Sequence, residues 1–113
     1  MKKTKMLKKN YEFSKVFSRG KYYSGKYIGA FILQSREEQN SLGLAISSKA
    51  GKAYQRNRVK RLLRENYKNS EEKLKNGYSI IFLWKKKCDI SQANFKNIEQ
   101  DMLDIFQKSE III

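Results

Sequence analysis

The stretch Lys49-Ala-Gly-Lys-Ala-Tyr-Gln-Arg-Asn-Arg-Val-Lys-Arg-Leu-Leu-Arg64 constrains this chain more than any other. It carries seven basic residues and no acidic one. Wound as a helix from about Ala53, at about 100° per residue, it separates into two faces. Val59, Leu62, Leu63 and Tyr67 fall in one sector, and Asn57, Lys60, Arg61 and Arg64 in the opposite one. Such a helix has an apolar side for a core and a cationic side for an anion. Arg56-Asn57-Arg58 adds two guanidinium forks flanking an amide, a geometry that suits phosphate oxygens in a bidentate way that lysine does not match.

The remaining composition narrows the partner. The 113 residues are one domain's worth, and 40% hydrophobic content is enough for a modest core. Twenty-five Lys and Arg against eleven Asp and Glu leave a net charge of +14. That charge repels itself in a compact state unless a polyanion lies against it. Nucleic acid is the first candidate and an anionic membrane surface the second. The cations run through the whole sequence, which favours a folded basic surface over a charged arm. No apolar run approaches the roughly 20 residues of a membrane span. The basic N-terminus lacks the apolar segment of a signal peptide, so the expected location is the cytoplasm. A lone Cys88 excludes an internal disulfide and a cysteine-based zinc site, and the absence of histidine excludes His-based metal, acid–base and triad chemistry.

In chain order, residues 1–9 read as a lysine-rich, mobile lead-in. Asn10 is placed to cap a short helix with Glu12 in its first turn and Phe13, Val16 and Phe17 at helical spacing, ended by Gly20. Periodicity alone assigns all three apolar residues to the core. Residues 26–34 read as a strand apolar on both faces, with Tyr27, Phe31 and Leu33 on one and Ile28, Ala30 and Ile32 on the other. A polar turn, 35–41, and a second strand, 42–47, follow, with a hairpin as the natural connection. The basic helix then runs to about Lys68, and a polar stretch closes at Gly77. Residues 78–84 form the most β-like run, continuously apolar as a central strand should be. Ser91 is placed to cap a last helix with Phe95, Ile98, Met102, Ile105 and Phe106 as its apolar stripe. The end, Ile111-Ile-Ile113, is left between packing and fraying. The pattern is a single α+β domain over residues 1–113, an α-β-β-α-β-α sandwich with room for an extra short strand.

The long motif resembles the signature of the bacterial ribonuclease P protein subunit. Lys49, Ala53, Arg56-Asn57-Arg58, Val59, Lys60-Arg61, Leu62-Leu63 and Arg64 follow that family's pattern, with Gly51 displaced by one position. Residues 7–20 are similar to its opening helix and residues 42–47 to the strand before its basic helix. The likeness spans residues 5–108.

The resemblance implies a specific fold and a specific job. The fold is that of the second domain of ribosomal protein S5, with a left-handed strand–helix–strand crossover through the basic helix. The job is that of the protein cofactor of a ribozyme that removes the 5′ leader of precursor tRNA. Its expected partners are the catalytic RNA and precursor tRNA, in a one-to-one RNA–protein unit with a monomeric protein and no membrane. The expected cofactor is Mg²⁺, held mainly by the RNA, which generates the nucleophile and stabilises the leaving oxygen. No catalytic residue and no metal ligand is expected in the chain itself.

Carried over by the resemblance, Arg56, Asn57, Arg58, Lys60, Arg61 and Arg64 are the expected catalytic-RNA contacts. Phe13, Phe17, Phe31 and Lys49 are the leader-cleft residues, and this moves Phe13 and Phe17 from core to surface. Lys60, Arg61 and Arg64, with Lys49, are also expected along that groove or its edge. Phe31 stands where the family often has tyrosine, which keeps stacking but removes a hydroxyl. Two other classes compete on the residues alone: a ribosomal or general RNA-binding protein with the same charge, and a protein-only nuclease. The scattered acids and missing histidine weigh against the second.

Overall fold

The computed structural model describes residues 3–113. Five strands and three α-helices alternate through these residues: β1 (Thr4–Met6), α1 (Asn10–Arg19), β2 (Lys21–Ser24), β3 (Ile28–Gln34), β4 (Asn40–Ala45), α2 (Ala53–Ser70), β5 (Tyr78–Trp84) and α3 (Phe95–Lys108). Short 3₁₀ turns follow α2 at Glu71–Lys73 and precede α3 at Ile90–Gln92. The strands form one sheet in the order β1-β4-β5-β3-β2.

β5 holds the centre because it is apolar on both faces. Ile80, Phe82 and Trp84 alternate with Ile81, and all four are buried. Its even-numbered side joins Ile28, Ala30, Ile32 and Leu42 in the main core, beneath Val59, Leu62, Leu63 and Tyr67 of α2 and Ile98, Met102, Ile105 and Phe106 of α3. On the other face Ile81 packs with Leu7 and with Val16 of α1, and Phe13, Phe31, Leu33 and Ala45 border this smaller cluster. The sheet is thus a partition, with α2 and α3 on one side and α1 on the other. The apolar side of the basic helix is buried as its spacing predicts, and so are Ile98, Met102, Ile105 and Phe106 of the last helix, whereas Phe95, expected in the same stripe, is exposed in the first turn of α3.

The structure corrects the sequence reading in several places. The two early strands form no hairpin: β5 lies between them, antiparallel to β3 and parallel to β4. Asn40 fixes this arrangement, accepting from the Tyr78 N–H at 2.9 Å and donating to the Lys75 carbonyl at 3.0 Å, so β4 starts pinned beside β5. Gly77, at φ +93°, makes the turn into β5 that an L side chain would strain. Its carbonyl accepts from the Ser35 N–H at 2.7 Å, which seats residues 35–39 across the end of β5.

The described part of the lead-in is tied to the fold. Thr4–Met6 adds a parallel edge strand to β4. The Thr4 hydroxyl lies 2.8 Å from the buried Tyr67 hydroxyl, while Lys3 and Lys5 reach out to Glu72 at 2.9 Å and Glu37 at 2.7 Å. Lysines can occupy an edge strand because their stems lie along it and their charges stay in water. Residues 1 and 2 of the lead-in lie outside the described residues. A second short strand beyond the three expected is β2, paired antiparallel with β3.

Two caps also shift. Lys9, not Asn10, stands at the N-cap of α1, because Glu12 supplies the acceptor: its carboxylate takes the Lys9 N–H at 2.9 Å and the Lys8 N–H at 3.1 Å. Those bonds, Lys9's first, hold the Glu12 carboxyl below its ordinary pKa. Asn94, not Ser91, caps α3, accepting from the Asn97 N–H at 2.8 Å, while Ser91 sits in the preceding 3₁₀ turn. The C-terminal isoleucines pack: Ile111 is buried and Ile112 bridges to Leu74.

Candidate nucleic-acid interface

The α1 face of the sheet carries an open aromatic row. The Phe13 and Phe17 ring centroids are 6.5 Å apart, Phe17 and Phe31 5.1 Å, and Phe31 and Tyr22 4.9 Å. Phe13 and Phe31 are half-buried, whereas Phe17 is 39% and Tyr22 43% exposed. The row exists because small residues underlie it. A Cβ on Gly43 would sit 2.7 Å from the Phe13 ring, and one on Gly29 would sit 2.7 Å from the Tyr22 ring. Register places Gly43, Ile81, Phe31 and Tyr22 in one line across β4, β5, β3 and β2. The next line toward the end of β4 is Ala45, Leu83 and Gly29, and the small Ala45 and Gly29 keep it low. Phe13, Phe17 and Phe31 therefore lie together on one face of the sheet, with Phe17 the most exposed of the three.

Tyr22 completes the row and was missed by the sequence reading. The signal was present: Lys21-Tyr-Tyr-Ser24 is β-prone, and a strand there pairs Tyr22 directly opposite Phe31.

The cations divide differently from the expectation. Lys49 lies exposed on the loop that leaves β4 beyond Ala45, so it stands past the open end of the cleft floor. Arg56 turns back onto this loop, donating through Nη1 to the Ser48 carbonyl at 3.0 Å and the Gly51 carbonyl at 2.9 Å. Arg58 donates to the Ala93 carbonyl at 2.8 Å and ties α2 to the segment entering α3. Both arginines thus hold structure with one part of the fork and keep further N–H groups for an anion.

Asn57 and Arg64 are exposed and Lys60 is half-buried. Arg61 is exposed and makes only a loose 3.8 Å pair with Glu65, which leaves its charge available. Lys60, Arg61 and Arg64 belong to α2, across the sheet from Phe13, Phe17 and Phe31. The structure therefore separates them from the aromatic groove instead of lining it with them. The loop into α2 leaves the sheet at the end of β4, the end at which Lys85 also follows β5.

Among the described residues, no group of three or more His, Cys, Asp or Glu side chains is placed to hold a metal ion. No described helix is long and apolar enough to cross a membrane. A stacking row on one side of a sheet, a cationic helix on the other and a large positive charge define an RNA-binding α+β protein.

Comparison with known proteins makes the assignment specific. The Ribonuclease P family model matches residues 1–110. The ribonuclease P protein component of Clostridioides difficile is 38% identical over 112 residues, covering 98% of this chain and 96% of that protein. The component of Fusobacterium nucleatum is 39% identical over 108 residues, covering 94% and 97%. Among solved structures, the Staphylococcus aureus RNase P protein superposes with a TM-score of 0.84 at 20% identity, over 96% of this chain and 97% of that one. The Thermotoga maritima protein superposes at 0.82 with 23% identity, over 92% and 96%. The chain belongs to the ribonuclease P protein family, and RNA binding and tRNA processing within a ribonucleoprotein go with that membership.

Proposed function

We propose that this chain is the non-catalytic protein cofactor of its ribonuclease P, with the aromatic cleft holding the 5′ leader of precursor tRNA and α2 facing the catalytic RNA. The observation that carries this reading is the row of Phe13, Phe17, Phe31 and Tyr22, in which Phe17 and Tyr22 are exposed and Phe13 and Phe31 half-buried. Unpaired leader bases stack on such rings without regard to sequence, at roughly 1–3 kcal/mol per base. Base-paired mature tRNA offers no such bases at its 5′ end. The cleft thus favours precursor over product.

Arg58, Lys60, Arg61 and Arg64 supply phosphate contacts to the catalytic RNA along the outer side of α2, with Asn57 exposed among them. Arg56 holds the loop that presents Lys49 where the cleft opens, so Lys49 meets the leader's phosphates near the junction with the tRNA body. The chain acts as a monomer, one per catalytic RNA, in the cytoplasm. Mg²⁺, which polarises phosphoryl oxygens and lowers the pKa of bound water, is taken to be held by the RNA, since no carboxylate cluster for it lies among the described residues. No chemical step is routed through it in this chain. The protein's contribution is to bind, orient and neutralise charge.

Cleavage of precursor tRNA by the catalytic RNA at low Mg²⁺, with and without the protein, tests the proposal. The protein should raise the rate severalfold or more, because bound cations replace part of the ionic screening that Mg²⁺ otherwise supplies. A rate unchanged by saturating protein would overturn it.

A further inference from the structure

A second groove lies on the far flank of α1 from the aromatic cleft, between α1, β1 and residues 35–37, with a volume of about 720 Å³. Its charged lining is Lys5, Lys15, Arg19 and Arg36 against Glu12 and Glu37. Both acids are already engaged. Glu37 pairs with Lys5 at 2.7 Å, and Glu12 accepts the Lys8 and Lys9 backbone N–H groups. Lys15, Arg19 and Arg36 are exposed and form no ion pair among the described residues. Tyr11, 68% exposed, forms part of the same wall with the Lys9 ammonium 5.7 Å from its ring centre.

The helix explains the two flanks. Tyr11, Lys15 and Arg19 are spaced by four and form one stripe of α1, while Phe13 and Phe17 form another. Three unpaired cations beside an exposed aromatic ring repeat, on this flank, the chemistry by which single strands are held.

We propose that this groove is a second single-strand RNA subsite, occupied by the distal nucleotides of the leader after they pass over α1. The proposal rests on the reading that the aromatic cleft takes the proximal leader. Two arguments favour the leader over the catalytic RNA, and a third fits any RNA strand. The groove shares the α1 face with the cleft, whereas the cations assigned to the catalytic RNA lie on α2 behind the sheet. Only the width of one helix, about 10 Å, separates groove from cleft. The free charges are positive and unpaired, as a phosphodiester backbone requires.

The test uses the holoenzyme assembled from the full chain and its catalytic RNA. Affinity is measured for precursor tRNAs with a leader of about two nucleotides and a leader of about ten. The triple variant Lys15→Ala/Arg19→Ala/Arg36→Ala should weaken binding of the long-leader substrate about tenfold at near-physiological salt. It should also flatten that substrate's dependence of log K on log salt by about 2, at about 0.7 per single-strand phosphate contact. Short-leader binding and assembly with the catalytic RNA should not change. Arg19→Lys/Arg36→Lys, which keeps the charge, should retain most of the long-leader affinity.

Equal affinity of variant and parent for the long leader overturns the proposal. So does an equal loss on both leaders, or a loss that appears in assembly with the catalytic RNA. Phe17→Ala, run in parallel, separates the two readings. If it weakens both leaders while the triple variant weakens neither, the groove alone is refuted. If it weakens neither, the cleft reading falls, and the groove proposal built on it falls too.

Discussion

At the scale of single residues, the basic motif has two kinds of arginine. Arg56 and Arg58 spend N–H groups on the carbonyls of Ser48, Gly51 and Ala93, while Arg64 lies exposed on the outer side of α2. A guanidinium with five donors can do both, so the motif builds the loop and end of the helix that it also charges. The two kinds should separate on substitution. Arg58→Ala should cost about 1 kcal/mol of stability, because a charge-assisted bond to a backbone carbonyl is lost at a partly solvated site. Thermal unfolding should register this as a drop of several degrees. Arg64→Ala should leave the melting temperature unchanged while reducing the salt slope of catalytic-RNA binding by about 1. Unchanged RNA affinity and slope for Arg64→Ala would remove the outer side of α2 from the interface. The sequence could not reveal this division, because a helical wheel shows which way a residue faces but not which carbonyl a long side chain finds.

At the scale of elements, the cleft depends on what two strands leave out. Gly43 on β4 and Gly29 on β3 lie under the Phe13 and Tyr22 rings. Their environments differ. Phe13 is half-buried between α1 and the sheet, whereas Tyr22 stands at the edge with 43% of its surface free. Gly43→Ala should therefore cost about 1–3 kcal/mol, because the ring and its helix must shift together. Gly29→Ala should cost less than about 1 kcal/mol, because the exposed ring can swing away. Both should weaken leader binding, since each disturbs the row. Urea unfolding of the two variants, read beside their precursor affinity, checks this. An equal stability loss in both would mean that the rings are held otherwise than by these contacts.

The same elements show why the sequence was legible where it was. The buried face of α2 and the stripe of α3 follow from 3.6-residue spacing, and β5 announces itself as central by being apolar on both faces. The placement of β5 between β3 and β4 does not follow from periodicity. It depends on Asn40 reaching Tyr78 and Lys75, contacts between residues more than thirty positions apart. β1 and β2 were hidden for a related reason: at 3 and 4 residues they are too short for alternation to show, and β1 is written largely in lysine-flanked polar residues. The aromatic cleft was reached by resemblance. Spacing alone placed Phe13 and Phe17 in the core, because a half-exposed aromatic and a buried one have the same period.

At the scale of the whole molecule, the sheet acts as a wall between an aromatic surface and a cationic one. The α1 side offers rings and a few cations, and the α2 side offers a cationic helix. In the proposed function, placing them on opposite sides lets one small domain touch the catalytic RNA and the leader without either displacing the other. The net charge of +14 serves both surfaces and keeps the free protein dependent on RNA for charge neutralisation. In the proposed function, stacking on the α1 side is what separates precursor from mature tRNA. Phe17, at 39% exposure between Phe13 and Phe31, is the side chain on which that claim can be tested with least disturbance to the core. The measurement is the ratio of holoenzyme affinities for precursor and mature tRNA, for the parent and for Phe17→Ala, with thermal unfolding of both proteins run alongside. The account predicts a ratio reduced about tenfold, from precursor binding alone, with the melting temperature nearly unchanged. An unaltered ratio in a folded Phe17→Ala protein, or a ratio that falls only because the protein unfolds, would contradict it.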